Sequence, residues 1–366
     1  MSAGPDVPAA RPAHGILGVL SLIYGQVAAW RRSWYAAHPE ARRRLARPVI
    51  SVGNLTVGGS GKTPVVAHLA RLLQAHGERP AILSRGYARR VRTDGVLVVS
   101  DSTGVLAPVE MSGDEPQMLA CALPGIPVLV CADRYRAGLV AEQELGCTVH
   151  LLDDGFQHHA LARDIDLLLM APDDMREPVL PAGRLREPAS VASAATAIIA
   201  TGAAVAGAPT GLPLFEAVLT VRSPARVMPF GEPFTLAPGT PVMTLSGIAR
   251  PERFGATVRG LGCRIVADQP FGDHHWFTPS EIAAAVAQAL GAGATAIVTT
   301  GKDAVRMHGV PEIQAAIAAA RLPFVFVPID VAITPDDEFV PWLLNLLTGA
   351  RAEAQARLRS SPSAHG

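Results

Sequence analysis

Val49-Ile50-Ser51-Val52-Gly53-Asn54-Leu55-Thr56-Val57-Gly58-Gly59-Ser60-Gly61-Lys62-Thr63-Pro64 is the stretch that decides the fold. Its first residues form the short, β-branched apolar run of a buried strand. A glycine-rich loop follows, and Gly61-Lys62-Thr63 opens a helix whose first turn tolerates Pro64. Glycines let backbone N–H groups turn inward around phosphate oxygens, and the helix start adds the positive end of its dipole. Thr56, Val57, Gly58, Gly59, Ser60, Gly61, Lys62 and Thr63 thus read as a nucleoside-triphosphate site. Lys62 is expected at the β- and γ-phosphates and the Thr63 hydroxyl on Mg²⁺. The strict pattern G-x-x-x-x-G-K-[ST] asks for glycine where Thr56 stands, so the match is relaxed, and the strand-loop-helix context compensates.

Working outward, the second recurring part of such a site is an apolar strand ending in an acid. Val149-His150-Leu151-Leu152-Asp153-Asp154 supplies it, and Asp153 is the candidate metal ligand. Two solvated loop carboxylates are the plain alternative. Gln157 and His158 directly follow and are expected to line the same cleft as Asp154.

From Pro48 on, β-branched runs alternate with helical stretches, the signature of an α/β fold with a parallel sheet covered by helices on both faces. Between about Gly202 and Pro241 the pattern breaks into Pro/Gly-rich pieces, and a smaller α/β series follows. The expected organisation is a disordered 1–14, an amphipathic helix over 15–36, a P-loop core over 37–221, a smaller C-terminal α/β domain over 222–350 with 222–241 as its connection, and a flexible tail over 351–366.

The chain has 366 residues, so two domains are the natural expectation. With 32 Lys+Arg against 32 Asp+Glu, its balance argues against a generic nucleic-acid binder. At 49% hydrophobic it is too apolar to be disordered over most of its length. Cys121, Cys131, Cys147 and Cys263 form no C-x-x-C pair and read as small buried hydrophobes in a reducing compartment. No stretch reaches the ~18–20 apolar residues that a spanning helix needs.

The nearest approach to one is Gly15 to Trp30. Read as a helix, it sets Gly18, Ser21, Gly25 and Arg32 on one side. A broad apolar face of Leu17, Leu20, Ile23, Tyr24, Val27, Trp30 and Trp34 is left, with Arg42, Arg43, Arg44 and Arg47 behind it. Such a face beside cations suits an interfacial helix on anionic lipid headgroups; a core-packing helix followed by a basic loop is the alternative. A signal peptide is a third option, which a cytosolic nucleotide site disfavours.

A phosphate loop names no acceptor. Membrane-associated partitioning ATPases carry a Lys directly before the Gly-Gly pair, where this chain has Val57. ATP-dependent ligases of small metabolites share the loop style and stay open as a reading.

Around these elements the chain resembles the tetraacyldisaccharide 4'-kinases. The resemblance is carried by the loop 53–64, Ser84-Arg85-Gly86-Tyr87, Gly113-Asp114-Glu115-Pro116, Asp133-Arg134 and Leu152-Asp153-Asp154-Gly155-Phe156-Gln157-His158. It continues through Leu180-Pro181-Ala182-Gly183-Arg184-Leu185-Arg186-Glu187-Pro188, Gly247-Ile248-Ala249-Arg250-Pro251-Glu252-Arg253-Phe254 and Phe271-Gly272-Asp273-His274-His275. Order and spacing hold from about residue 15 to 345. One departure is Gly301, where the family usually has Glu before Lys302-Asp303.

The resemblance implies a kinase that uses ATP and Mg²⁺ to phosphorylate the 4'-hydroxyl of a tetraacyldisaccharide 1-phosphate, giving lipid IVA in lipid A biosynthesis. It implies a peripheral enzyme on the cytoplasmic side of the inner membrane, seated through the N-terminal helix, and no nucleic-acid or obligatory protein partner. It also points to Asp114 as proton acceptor with His274 as its partner, the two lobes closing to bring them together. For His274 and His275 the plain alternative is a helix-entry turn held by Asp273 and Thr278. A Zn site of Asp273, His274 and His275 is the weakest option, since adjacent histidines rarely share one metal. Arg186 and Glu187 stand in a polar loop and suit phosphate and Mg²⁺, or the sugar and its 1-phosphate, against a surface ion pair as the plain alternative.

Overall fold

The computed structural model describes residues 15–58, 61–202 and 205–360. Expectations for 1–14, for Gly59 and Ser60 and for the last residues of the tail, 361–366, lie outside the described residues. The chain opens with α1 (Ile16–Ala37), β1 (Val49–Asn54), α2 (Lys62–Ala75) and β2 (Pro80–Ser84). It continues through β3 (Leu97–Asp101), β4 (Gly104–Val105), α3 (Val109–Ser112), α4 (Asp114–Ala122), β5 (Val128–Val130), α5 (Arg134–Gln143), β6 (Val149–Asp153), β7 (Ile165–Met170) and β8 (Ala197–Thr201). Then come β9 (Leu214–Val221), β10 (Ala225–Arg226), β11 (Pro241–Ser246), α6 (Pro251–Gly260), β12 (Arg264–Pro270), α7 (Pro279–Gly291) and β13 (Ala296–Thr300). The chain ends in α8 (Gly301–His308), α9 (Pro311–Ala318), β14 (Phe324–Val327), β15 (Ile329–Thr334) and α10 (Asp336–Ser360).

Two units divide these elements, and both are discontinuous in sequence. The first holds the described residues up to Arg85, Cys131–Leu219 and those from Val331 on; the second holds Gly86–Val130 and Thr220–Asp330. The boundary near 220 coincides with the break in the sequence pattern, whereas 86–130 and the stretch from 331 fall on the other side of the division from the blocks 37–221 and 222–350. Residues 351–360, expected as part of a frayed tail, continue α10, and Arg351 ion-pairs with Glu78.

In the first unit the central strands run β9-β8-β7-β1-β6-β2, all paired in parallel. β1 and β6 are buried along their whole length, which is why both read as continuous apolar runs rather than alternating ones. Val52 lies opposite Asp153, so the loop after β1 and the acid at the end of β6 leave the sheet side by side at its carboxyl edge. Gly53 is required there: a Cβ would meet the Phe156 Cβ at 2.5 Å. Gly61, at φ 79°, adopts the left-handed conformation that turns the loop into α2.

The helix α1 docks with its small and polar side inward. Ser21 Oγ donates to Val179 O at 2.9 Å and accepts from Ala182 N at 2.9 Å, and Gly25 packs against Val179 and Pro188. Its large apolar side chains face outward: Ile16 is 81% exposed, Leu22 71% and Trp30 66%. Leu17, Leu20, Ile23, Tyr24, Val27 and Trp34 are exposed too. The cations behind the helix are less available than the sequence suggests, since Arg43 pairs with Asp133 and Arg44 with Asp164. No helix among the described residues is long and apolar enough to cross a membrane.

In the second unit β12-β11-β13-β14 form a parallel sheet, extended by antiparallel β10 beside β14. β3 pairs antiparallel with β5 and β4. The four cysteines are unpaired, and burial pushes the Cys121 and Cys147 thiols up to about 11.

Candidate active site

The first unit carries the phosphate loop. Thr56 bridges to Leu185 in antiparallel fashion, Val57 N donates to Arg184 O at 2.8 Å and Arg186 N donates to Leu55 O at 2.7 Å. This pairing delivers Arg186 to the loop. Its guanidinium grips Asp154 with two bonds of 2.8 and 2.9 Å, and reaches Asn54 Oδ1 at 2.9 Å and Gln157 Oε1 at 3.2 Å. Lys62 Nζ donates to the same Asn54 Oδ1 at 2.9 Å and stands 3.5 Å from Asp154. Two cations therefore converge on one amide oxygen and one carboxylate at the start of α2, an arrangement suited to a polyanion. Burial raises the Asp154 carboxyl, but Lys62 and Arg186 outweigh it and hold it below its ordinary value.

Thr63 is buried in the first turn of α2, and Asp153 is buried at the end of β6. His158 is kept neutral: burial first, then Arg134 and Arg163, lower its pKa to about 3. Arg134 was not among the sequence-level candidates as a site residue. It opens α5 behind its N-cap Asp133, is 6% exposed, and burial together with the charge of Arg85 lowers its pKa to about 10 against the pull of Asp154 and Asp153.

Glu187 takes another direction than its neighbour Arg186. Both its oxygens accept from Arg32 of α1, at 2.9 and 2.8 Å, and His159 lies 3.5 Å away. Burial pushes this carboxyl up, yet the bonds from His159 and Arg32 prevail and hold it at about 2. Its oxygens are engaged in seating α1, which argues against the metal-ligand role expected for it.

The second unit carries the Asp-His pair. Asp114 is the first residue of α4, where an anion is favoured by the helix dipole, and is 3% exposed. His274 Nδ1 lies 2.7 Å from its Oδ2. Both residues belong to the same unit, so no closing of lobes is needed for them to meet, in contrast to the sequence expectation. The turn expected from Asp273 and Thr278 is present as well: His274 N donates to Asp273 Oδ1, and Thr278 with Glu281 makes a capping box for α7. The local turn and the long-range pair thus coexist. His274 is held above its ordinary pKa, first by the hydrogen bond to Asp114, against burial. Lys302 Nζ bonds Glu115 at 2.6 Å beside it, and Gly301 opens α8 with 3.3 Å between a would-be Cβ and Met118 Sδ.

The family model described as "LpxK: Tetraacyldisaccharide-1-P 4'-kinase" matches residues 13–348. A tetraacyldisaccharide 4'-kinase of Geobacter metallireducens is 42% identical over 302 residues, 80% of this chain and 88% of that protein. One of Pelobacter propionicus is 40% identical over 325 residues, 85% of this chain and 89% of that protein. A crystal structure of LpxK from Aquifex aeolicus in complex with ATP is similar with a TM-score of 0.74 at 30% identity, over 90% of this chain and 98% of that one. On this agreement of family model, relatives and fold, the chain belongs to the tetraacyldisaccharide 4'-kinase family.

Proposed function

We propose that the chain transfers the γ-phosphoryl group of ATP to the 4'-hydroxyl of a tetraacyldisaccharide 1-phosphate, yielding lipid IVA in lipid A biosynthesis. The observation that carries this reading is the pairing of His274 with Asp114 in a chain whose phosphate loop opens α2 at Lys62.

Phosphoryl transfer needs charge neutralisation, in-line placement and a proton acceptor for the attacking hydroxyl. Lys62, Arg186 and the amides of the loop and α2 N-terminus meet the triphosphate. Mg²⁺ prefers oxygen donors and needs only one or two carboxylates besides phosphate. The Thr63 hydroxyl and the Asp153 carboxylate, at the start of α2 and the end of β6, fit that demand and would hold it, where it would neutralise charge on the transferred group. Glu187, committed to Arg32, does not fit.

For the proton, the sequence reading made Asp114 itself the acceptor. With Asp114 buried and His274 Nδ1 committed to it, His274 Nε2 is the nitrogen left to receive the hydroxyl proton, while Asp114 fixes the tautomer and stabilises the imidazolium. Gln157 and Asp154 hold Arg186 in place, and neutral His158 lines the same strand end.

A substrate with four acyl chains remains in a bilayer, so the enzyme must work at its surface. The outward apolar face of α1 supports peripheral attachment to the cytoplasmic side of the inner membrane. The reading is tested with γ-labelled ATP and the acylated disaccharide 1-phosphate in mixed micelles: label is expected in a bisphosphorylated lipid. A folded protein that hydrolyses ATP without labelling the lipid would overturn it in favour of a nucleotide switch.

A further inference from the structure

Arg306 is 2% exposed, among the largest fully buried side chains of the described residues, lies in α8, and is not itself a candidate that the sequence offers. A buried guanidinium is costly unless its donors and its charge are met. Here each is. Nη2 donates to Asp303 Oδ1 at 2.6 Å and to Gly247 O at 3.0 Å, Nη1 donates to His275 O, and Nε donates to Lys302 O at 3.3 Å. The same Nε stands 3.6 Å from Asp114 Oδ2, the oxygen that His274 Nδ1 contacts at 2.7 Å.

The backbone it braces is a strained one. His274 has φ 58°, a left-handed conformation sparsely populated by residues other than glycine. Its own N–H donates to Gly247 O, the carbonyl that Arg306 also holds, and Arg306 grips the carbonyl of the next residue, His275. Asp303 completes the brace, accepting from Gly247 N at 3.1 Å and from Thr300 Oγ1 at 2.6 Å. Gly247 and the 272–275 turn follow β11 and β12, and Thr300 ends β13, so the brace ties together the carboxyl ends of three parallel strands.

We propose that Arg306 is a positioning residue of the phosphoryl-transfer reaction, whose guanidinium both fixes the strained His274 turn and sets the proton affinity of the Asp114-His274 pair. This rests on the kinase reading above and adds to it the group that holds the pair. A cation beside the Asp114 oxygen weakens the pull of that carboxylate on the imidazole proton. Without it, His274 keeps its proton to higher pH. Among the described residues, the other charged or titratable groups facing the pair are Asp273, Glu115 with Lys302, Asp303 and Tyr87. Arg306 differs from all of them in touching both the carboxylate and the turn.

The test compares Arg306→Met and Arg306→Lys in the full-length protein, with kcat and KM for ATP and lipid measured across pH. Arg306→Met should lower kcat by about a hundredfold with KM values little changed. It should also move the acidic limb of the rate profile up by roughly one pH unit. Arg306→Lys, which keeps the charge but not the fork, should restore the limb and only part of kcat. If Arg306→Met does not fold, the paired variant Asp303→Asn/Arg306→Met removes both buried charges together and should show the same limb displacement. A folded Met or paired variant whose limb stays in place, or a Lys variant with full kcat, overturns the proposal. Absence of lipid labelling by the wild-type protein would instead overturn the kinase reading on which it rests.

Discussion

His274 Nδ1 and Asp114 Oδ2 stand 2.7 Å apart although 160 positions separate them in the chain. Two groups that share a proton act as one unit, so their losses do not add. Asp114→Ala and His274→Ala should each lower kcat by about 10²–10⁴-fold. The double variant should be little worse than the poorer single one. Steady-state kinetics of all three decides; multiplicative losses would mean independent roles.

The pair also fixes a pH dependence. The hydrogen bond to Asp114 holds the His274 imidazolium above its ordinary value of 6.5, against burial. The proton-accepting imidazole is therefore gained only as pH rises through that raised value, and kcat/KM should show an acidic limb above 6.5. Asp114→Asn removes the anion, so its residual activity should show the limb at lower pH. A wild-type limb well below 6.5 would contradict the assignment.

Mg²⁺ dependence separates the acids. Asp153→Asn should raise the half-saturating Mg²⁺ concentration by about tenfold or more. Glu187→Gln should leave that requirement near the wild-type value. Titration of Mg²⁺ at saturating ATP reads both; a large effect in Glu187→Gln would restore it as a ligand.

The Arg32–Glu187 pair should instead govern stability. Removing one partner of a buried ion pair costs about 3 kcal/mol, so Arg32→Met should be destabilised by that order in urea unfolding at neutral pH. Glu187 is depressed from 4.5 to about 2, so its stabilisation is complete above the ordinary value and lost as pH falls through that range. The gap between variant and wild type should narrow correspondingly below pH 4.5.

The exposed face of α1 predicts the opposite behaviour. Leu22→Glu and Trp30→Glu remove apolar surface that is already in water, so Tm should hold. Partitioning onto anionic vesicles should fall by about ten- to a hundredfold for each, as expected for losing about 1.5–3 kcal/mol of buried side chain. Flotation assays measure it directly.

How much of this the sequence made legible depended on how local each feature is. The phosphate loop and the acid after β6 are spelled within a few residues each, and their strand context fixes where they point. The apolar face of α1 was readable from periodicity, but which side docks was not. Ser21 and Gly25, weakly polar in pattern, bind the core only because Val179, Ala182 and Pro188 arrive from far along the chain. Arg306 was hidden for the same reason: its partners outside α8 come from three separate segments, and no spacing within α8 announces those. Asp114 was assigned to the nucleotide-binding half because 86–130 lies between strands of that sheet in sequence, whereas packing sets it with the later residues.

Arg186 and Glu187 are consecutive residues with opposite assignments, one gripping the phosphate loop and the other gripping α1. Making a detergent-free enzyme by trimming the chain before residue 38 would therefore not be a neutral edit. The cut strips Arg32 from Glu187 and Ser21 from Ala182, leaving a charge in the interior directly beside the arginine that orders the nucleotide site. Solubility is better sought by polar substitutions along the outward face of α1, which leave both grips in place.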